Sequence, residues 1–158
     1  MEALIMTSLQ RRIEVLQREL EALRFETQHD SLTGLGNRRF LEERTQGRGG
    51  FFVAIDLDGF KKAQDSHPNG HLYGDEVLRR FARLLIHLGR AWNSRVACRV
   101  GGDEFVVWCP NILAADAITR EIQHWRYGNV TASAGFGMSM AIADRECYRE
   151  KERKKRHG

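Results

Sequence analysis

Proline is nearly absent, cysteine is scarce, and no stretch of the chain stays apolar for long. Two prolines in 158 residues, with 42% hydrophobic and 29% charged side chains, exclude a disordered or collagen-like chain. That length holds one domain and an appendage, not two catalytic domains. Cys98, Cys109 and Cys147 are odd in number and show no CxxC spacing, which excludes a disulfide framework or a zinc site and leaves inert thiols. No run approaches the roughly 18 apolar residues of a membrane span. The N-terminus is polar and charged instead of leader-like, so a cytoplasmic chain without membrane contact is expected. Charge of one sign is also in short supply. Lys and Arg number 25 against 21 Asp and Glu, a net +4, and much of the excess sits in residues 149–156, REKERKKR. An excess so local argues against a nucleic-acid-binding surface and reads first as a solvated tail.

What is present begins with a helix. Residues 4–28 lack Gly and Pro, and Met6, Leu9, Ile13, Leu16, Leu20 and Leu23 recur in alternating steps of three and four, the seam of a coiled coil. In that register Glu19 lies at g and Arg24 at the following e, so a parallel homodimer pairs opposite charges between chains. The alternative is an amphipathic helix lying on its own domain. Residues 1–28 are therefore expected to form a dimerisation helix and residues 29–158 a catalytic domain. Asp30 or Ser31 is placed to cap the segment after the helix.

Within the domain, residues 51–57, FFVAIDL, read as a buried strand, and residues 73–88 carry Val77, Leu78, Phe81, Leu84 and Leu85 on one helical face. Residues 96–100 and 105–109 flank Gly101-Gly102-Asp103-Glu104 in the manner of a hairpin. Helix is expected over 112–125, strand over 129–137 and a highly charged helix over 141–155. Interleaved strands and helices make the class α+β or α/β, a mostly antiparallel sheet flanked by helices.

The chemistry gathers at two acidic pairs. The apolar strand ends in Asp56-Leu57-Asp58-Gly59-Phe60-Lys61, and a carboxylate at a strand end beside a loop of free N–H groups suits a cation-bound polyphosphate. Asp103 and Glu104 follow two glycines, expected to tighten the turn with positive φ and to let a ligand approach the backbone. If the two pairs adjoin, they form a hard-cation site of oxygen ligands, for Mg²⁺ or Mn²⁺ and not for a soft metal. Either pair alone is an ordinary turn element. His67 and His71 have i, i+4 spacing, but Pro68 lies between them, and turn packing is the expected role.

Five segments in order, DSLTGLGNRR at 30–39, DLDGFK at 56–61, GHLYGD at 70–75, RVGGDEF at 99–105 and TASAG at 131–135, resemble the GGDEF domain of diguanylate cyclases. The resemblance covers everything after the first helix. It implies a palm-like fold related to nucleotidyl cyclases and condensation of two GTP into cyclic di-GMP with release of two pyrophosphates. It places metal ligands on the carboxylates of Asp56 and Asp103 and the carbonyl of Leu57. Glu104 stands beside them as a further ligand or catalytic carboxylate. Gly59, Phe60 and Lys61 are then expected around the β and γ phosphates, and Lys151 and Lys155 of the last helix as phosphate cations.

Departures from the pattern matter as much. Gln64 stands where the family has an Asn that reads guanine, and Asn69 is a possible substitute; Asp75 keeps the second guanine-reading position. Trp92 and Arg95 occupy the positions of an RxxD product-inhibition site, which is expected to be absent. Two other outcomes stay open: a GGDEF-like module that binds GTP or a dinucleotide without turnover, and a purine-tolerant cyclase.

Overall fold

The computed structural model describes residues 2–157. Met1 and Gly158, the outer limits of the two expected segments, lie outside the described residues. Helix α1 (Glu2–Gln28) is followed by α2 (Arg38–Thr45), β1 (Phe51–Asp58), α3 (Phe60–Ser66) and α4 (Gly70–Ala91). Then come β2 (Val96–Arg99), β3 (Glu104–Cys109), α5 (Ile112–His124), β4 (Arg126–Tyr127), β5 (Val130–Gly137) and α6 (Met140–His157). The strands form one antiparallel 5-stranded sheet in the order β2-β3-β1-β5-β4, with β1 at its centre.

Both faces of the sheet are covered, which is why β1 reads as a continuous apolar run. Alternation sends Val53, Ile55 and Leu57 into one core with Val77, Phe81 and Leu85 of α4 and Ile118 and Ile122 of α5. Ala54 points the other way, against Ala143 and Cys147 of α6, and Val106 of β3 meets Leu41 of α2 on that face. By the same period of two, Asp56 and Asp58 fall on the α6 face. In α4 the buried residues Val77, Leu78, Phe81, Ala82, Leu85 and Leu88 fall at helical spacing. The two glycines of β5 let α6 approach closely: a Cβ on Gly135 would collide with the backbone of Glu146 and Cys147, and one on Gly137 with Ile142.

The expected strands and long helices are present, and α2, α3 and β4 are additions. Helix α2 starts at Asn37, whose side-chain oxygen accepts from the Phe40 N–H at 3.1 Å. Asp30, not Ser31, caps the turn after α1, accepting from the Thr33 N–H at 2.9 Å and its hydroxyl at 2.6 Å. The seam of α1 does not lie on its own domain: Leu9, Ile13, Leu16, Leu20 and Leu23 are 54%, 53%, 49%, 49% and 59% exposed. The cysteines are free and buried, and burial pushes the Cys98 and Cys147 thiols up to about 12.

Candidate active site

The sheet brings the two acidic pairs to one end. Asp56 and Glu104 are direct cross-strand partners in the β1–β3 ladder, which places their side chains on one face. The Leu57 N–H donates to the Asp103 carbonyl at 3.1 Å and so fastens the turn to the strand end. The turn closes through N–H groups of Val100 and Gly101 on the Glu104 carbonyl, at 2.9 and 3.3 Å.

The expected role of the two glycines needs correction. Neither Gly101 nor Gly102 has positive φ; the positive-φ glycine of the site is Gly59, at +74°, where β1 hands over to α3. Gly101 leaves room for the Glu104 side chain instead: a Cβ there would meet its carboxylate in the present rotamer and make the side chain turn away. Gly102 contributes its carbonyl, which accepts from Arg99 Nε and Nη2 at 3.1 and 2.7 Å.

Cations from α6 meet these carboxylates. Lys151 Nζ donates to Asp56 Oδ1. Lys154 Nζ donates to Asp58 Oδ2 at 3.1 Å and to the Ala132 carbonyl at 2.5 Å. Asp58 Oδ2 also accepts from Ser133 Oγ at 2.7 Å and Thr131 Oγ1 at 3.2 Å. Lys155, an expected phosphate cation, pairs with Glu152 at 2.7 Å and is largely exposed. Lys154 does not stand out in the sequence, although its i+3 spacing from Lys151 also places it on one helix face.

Charge and burial set the titration of the group. Burial, and then the negative charge of Asp56, hold the Asp103 carboxyl above its ordinary range. Burial alone would lower the Lys151 ammonium, but the hydrogen bond to Asp56 and the charges of Asp56, Asp58 and Asp103 raise it. A cleft of about 420 Å³, inside the range of ligand pockets, runs between the sheet and α6, lined by Arg38, Asp56, Glu104, Asp144, Lys151 and Lys155. A second hollow of about 280 Å³ joins Asp58, Gly59 and Thr131 to Lys151, Lys154 and Lys155. Another cavity, of about 490 Å³, lies away from the carboxylates, where His29 and Phe40 face Ile86 and Arg95.

Among the described residues no three acidic, histidine or cysteine side chains converge as a ready metal cage. The donors still fit a hard cation. They are carboxylates around a strand-end carbonyl, and Asp56 and Asp103 share a like-charge repulsion that the charges of Lys151 and Arg99 offset in part.

The base-reading candidates stand on the helices leaving this end. Phe60 and Lys61 open α3, Phe60 half-buried and Lys61 exposed. Gln64 folds onto α4, its Nε2 3.5 Å from His71 Nδ1 and in the space a Cβ on Gly74 would need. Asp75, half-buried, lies 3.6 Å from Arg79, and Asn69 is exposed at the N-cap of α4. His67 stacks on Tyr73 at 4.6 Å and accepts from the Asn69 N–H at 3.2 Å. The two histidines thus have separate partners, as turn packing requires. Sequence reasoning also passed over Arg38 and Asp144 of the cleft; burial raises the Asp144 carboxyl and the charge of Arg38 opposes it.

Comparison with known proteins agrees with this geometry. The family model described as "Diguanylate cyclase, GGDEF domain" matches residues 27–127, more than half of the chain. The response regulator PleD of Caulobacter vibrioides is 44% identical over 98 residues, covering 56% of this chain and 21% of that protein. Diguanylate cyclase DgcS of Shewanella oneidensis is 34% identical over 114 residues, covering 66% of this chain and 37% of that protein. A sensory box/GGDEF family protein from Caulobacter crescentus superimposes with a TM-score of 0.60 at 32% identity, covering 79% of this chain and 98% of that one. The chain thus spans well under half the length of these two curated relatives. The matched residues carry the strand-end acids, the α3–α4 pair and the glycine hairpin, and the chain belongs to the GGDEF family.

Proposed function

We propose that the chain is a diguanylate cyclase that condenses two GTP into cyclic di-GMP and two pyrophosphates, acting as a dimer. One observation carries this reading: the carboxylates of Asp56, Asp103 and Glu104 adjoin the α6 lysines at one sheet end, beside the Gly59 turn. Asp56, Asp103, Glu104 and the Leu57 carbonyl would hold Mg²⁺ or Mn²⁺, which when bound neutralises charge on the phosphate oxygens. Gly59, Phe60 and Lys61 line the β and γ phosphates, while Lys151 and Lys155 balance triphosphate charge from the helix side. Gln64 and Asp75 read the guanine edge. The Asp75 carboxylate accepts from N1–H and the exocyclic amine, which adenine lacks.

Each 3′-oxygen attacks the α-phosphorus of the other GTP. A phosphodiester bond forms, the α–β anhydride bond breaks, and pyrophosphate leaves with the electron pair. Glu104, the exposed carboxylate of the set, takes the 3′-hydroxyl proton. The protein's share is positioning and charge stabilisation, with little covalent work. One site holds half of the reaction, so two domains must face each other, and the exposed seam of α1 supplies the second copy.

A second reading, a domain that binds GTP without turnover, draws on two contacts: Lys151 is engaged with Asp56, and the Gln64 amide faces His71. The deciding experiment incubates the chain with GTP and Mg²⁺, follows pyrophosphate and identifies the product by mass, with Asp103→Ala as control. Cyclic di-GMP absent from the control supports the cyclase. GTP binding without product, at concentrations where the protein is dimeric, overturns it in favour of the binding module.

A further inference from the structure

The α6 lysines are held in different ways. Lys155 pairs within its own helix, on Glu152. Lys151 bonds to one side chain, Asp56. Lys154 alone reaches both a carboxylate, Asp58, and a main-chain oxygen of the sheet, that of Ala132. A side-chain ion pair can be exchanged for a ligand; a bond to the carbonyl of a packed strand has no such competitor.

Position along the helix sharpens the contrast. The first half of α6 is seated by close packing, with Ala143 and Cys147 buried against Ala54 and the β5 glycines. From residue 148 to residue 156 no residue of α6 is buried. Apolar contact therefore does not fix the turns that carry the site lysines. The Asp58 carboxylate is itself immobilised, by Ser133 and Thr131 at 2.7 and 3.2 Å, and its side chain is only 19% exposed. The anchor thus spans β1 and β5, the strands on which α6 lies.

We infer that Lys154 is a positioning residue: held by Asp58 and the Ala132 carbonyl, it fixes the end of α6 so that Lys151, three residues earlier, reaches Asp56 and, on nucleotide binding, phosphate. The nucleotide step rests on the proposed cyclase reading; the anchoring step does not.

The test uses the ¹⁵N-labelled full chain and the ¹H–¹⁵N signals of its lysine ammonium groups, which are visible when ion-paired and shielded from exchange. Asp58→Asn/Lys154→Met removes both charges together, so no orphaned charge is left to unfold the domain. In this double variant the Lys151 signal is expected to broaden away while the backbone amide signals of β1 and β5 stay in place. Lys154→Arg, which keeps a cation on Asp58, is expected to retain it. With GTP and Mg²⁺, the double variant is expected to raise KM about tenfold with kcat changed by less than about threefold, a shift that the arginine variant reverses.

An unchanged Lys151 signal in the double variant overturns the inference. So does a GTP-induced shift at Lys154 as large as that at Lys151, which makes Lys154 a direct ligand. If the wild-type chain turns over no GTP, the cyclase reading fails on its own, and the ammonium signals of the metal-free protein still decide the role of Lys154.

Discussion

Arg99 ties Asp30 to Gly102. Its Nη1 lies 3.2 Å from both carboxylate oxygens of Asp30, while Nε and Nη2 donate to the Gly102 carbonyl at 3.1 and 2.7 Å. The second residue after α1 is thereby joined to the turn that carries Asp103 and Glu104. The pair is largely buried, with Arg99 and Asp30 side chains 16% and 22% exposed. Asp30→Asn is expected to lower unfolding free energy by about 2 kcal/mol near neutral pH, read by urea denaturation. Burial alone would raise the Asp30 carboxyl, but hydrogen bonds from Thr33 and the Arg99 charge bring it below the ordinary value. A lowered carboxyl stabilises the fold above its unfolded pKa of about 3.9, and that contribution fades as pH falls through the folded value. The deficit of the variant should therefore shrink in acid. An equal deficit at about pH 2 and about pH 7 would contradict the charge argument.

Repulsion between Asp56 and Asp103 gives a second expectation. Burial and the Asp56 charge both act against the ionised form of Asp103. Asp103→Asn removes one of the like charges and should raise the melting temperature of the metal-free chain by about 2–5 °C. Added Mg²⁺ should stabilise the wild type and have much less effect on the variant. Differential scanning fluorimetry with and without Mg²⁺ reads both. Equal Mg²⁺ shifts in the two proteins would remove Asp103 from the cation site.

The sequence exposed those parts of this arrangement that depend on local pattern. Phe51–Asp58 is legible because a strand buried on both faces is apolar along its length, so the change to Asp56 and Asp58 marks its end. The 7 residues of α3 are too short for periodicity to register. Helix α2 is capped by Asn37 but has a single buried residue, Leu41, too little to mark a face. Lys154 escaped attention because its partners, Asp58 and the Ala132 carbonyl, are distant in sequence, and its spacing from Lys151 selects a face without naming what that face meets. The glycine turn was legible as a turn. Its backbone, free of positive φ and with the Glu104 side chain lying over Gly101, depends on the rotamer of Glu104 and is not written in the local pattern.

Two glycines should respond very unequally to the same methyl group. A Cβ at Gly135 runs into the α6 backbone at Glu146 and Cys147, so Gly135→Ala must push α6 off the sheet. A loss of about 2–3 kcal/mol in urea unfolding is expected, with a further loss of nucleotide affinity because Lys151 moves with the helix. At Gly102 nothing lies within 4 Å of an added Cβ, and Gly102→Ala should change stability by less than about 1 kcal/mol. Equal costs at the two positions would show that α6 is not seated on β5 as described.

The exposed seam of α1 makes a prediction about assembly. Ile13 and Leu16 are 53% and 49% exposed at adjacent a and d positions, so a buried partner is what would stabilise the helix in water. A charge at a d position cannot be solvated inside a two-stranded seam. Leu16→Asp is therefore expected to convert a dimer to a monomer in light scattering after size-exclusion chromatography, with helical signal lost from α1 alone and the near-ultraviolet spectrum of Trp92, Trp108 and Trp125 in the domain unchanged. If two sites must face each other, the rate per chain at low protein concentration should fall by at least about tenfold and then rise with concentration, because encounter replaces tethering. A wild-type chain that is monomeric at concentrations giving full specific activity would remove the helix from the mechanism. A dimeric Leu16→Asp variant would place the contact on another surface.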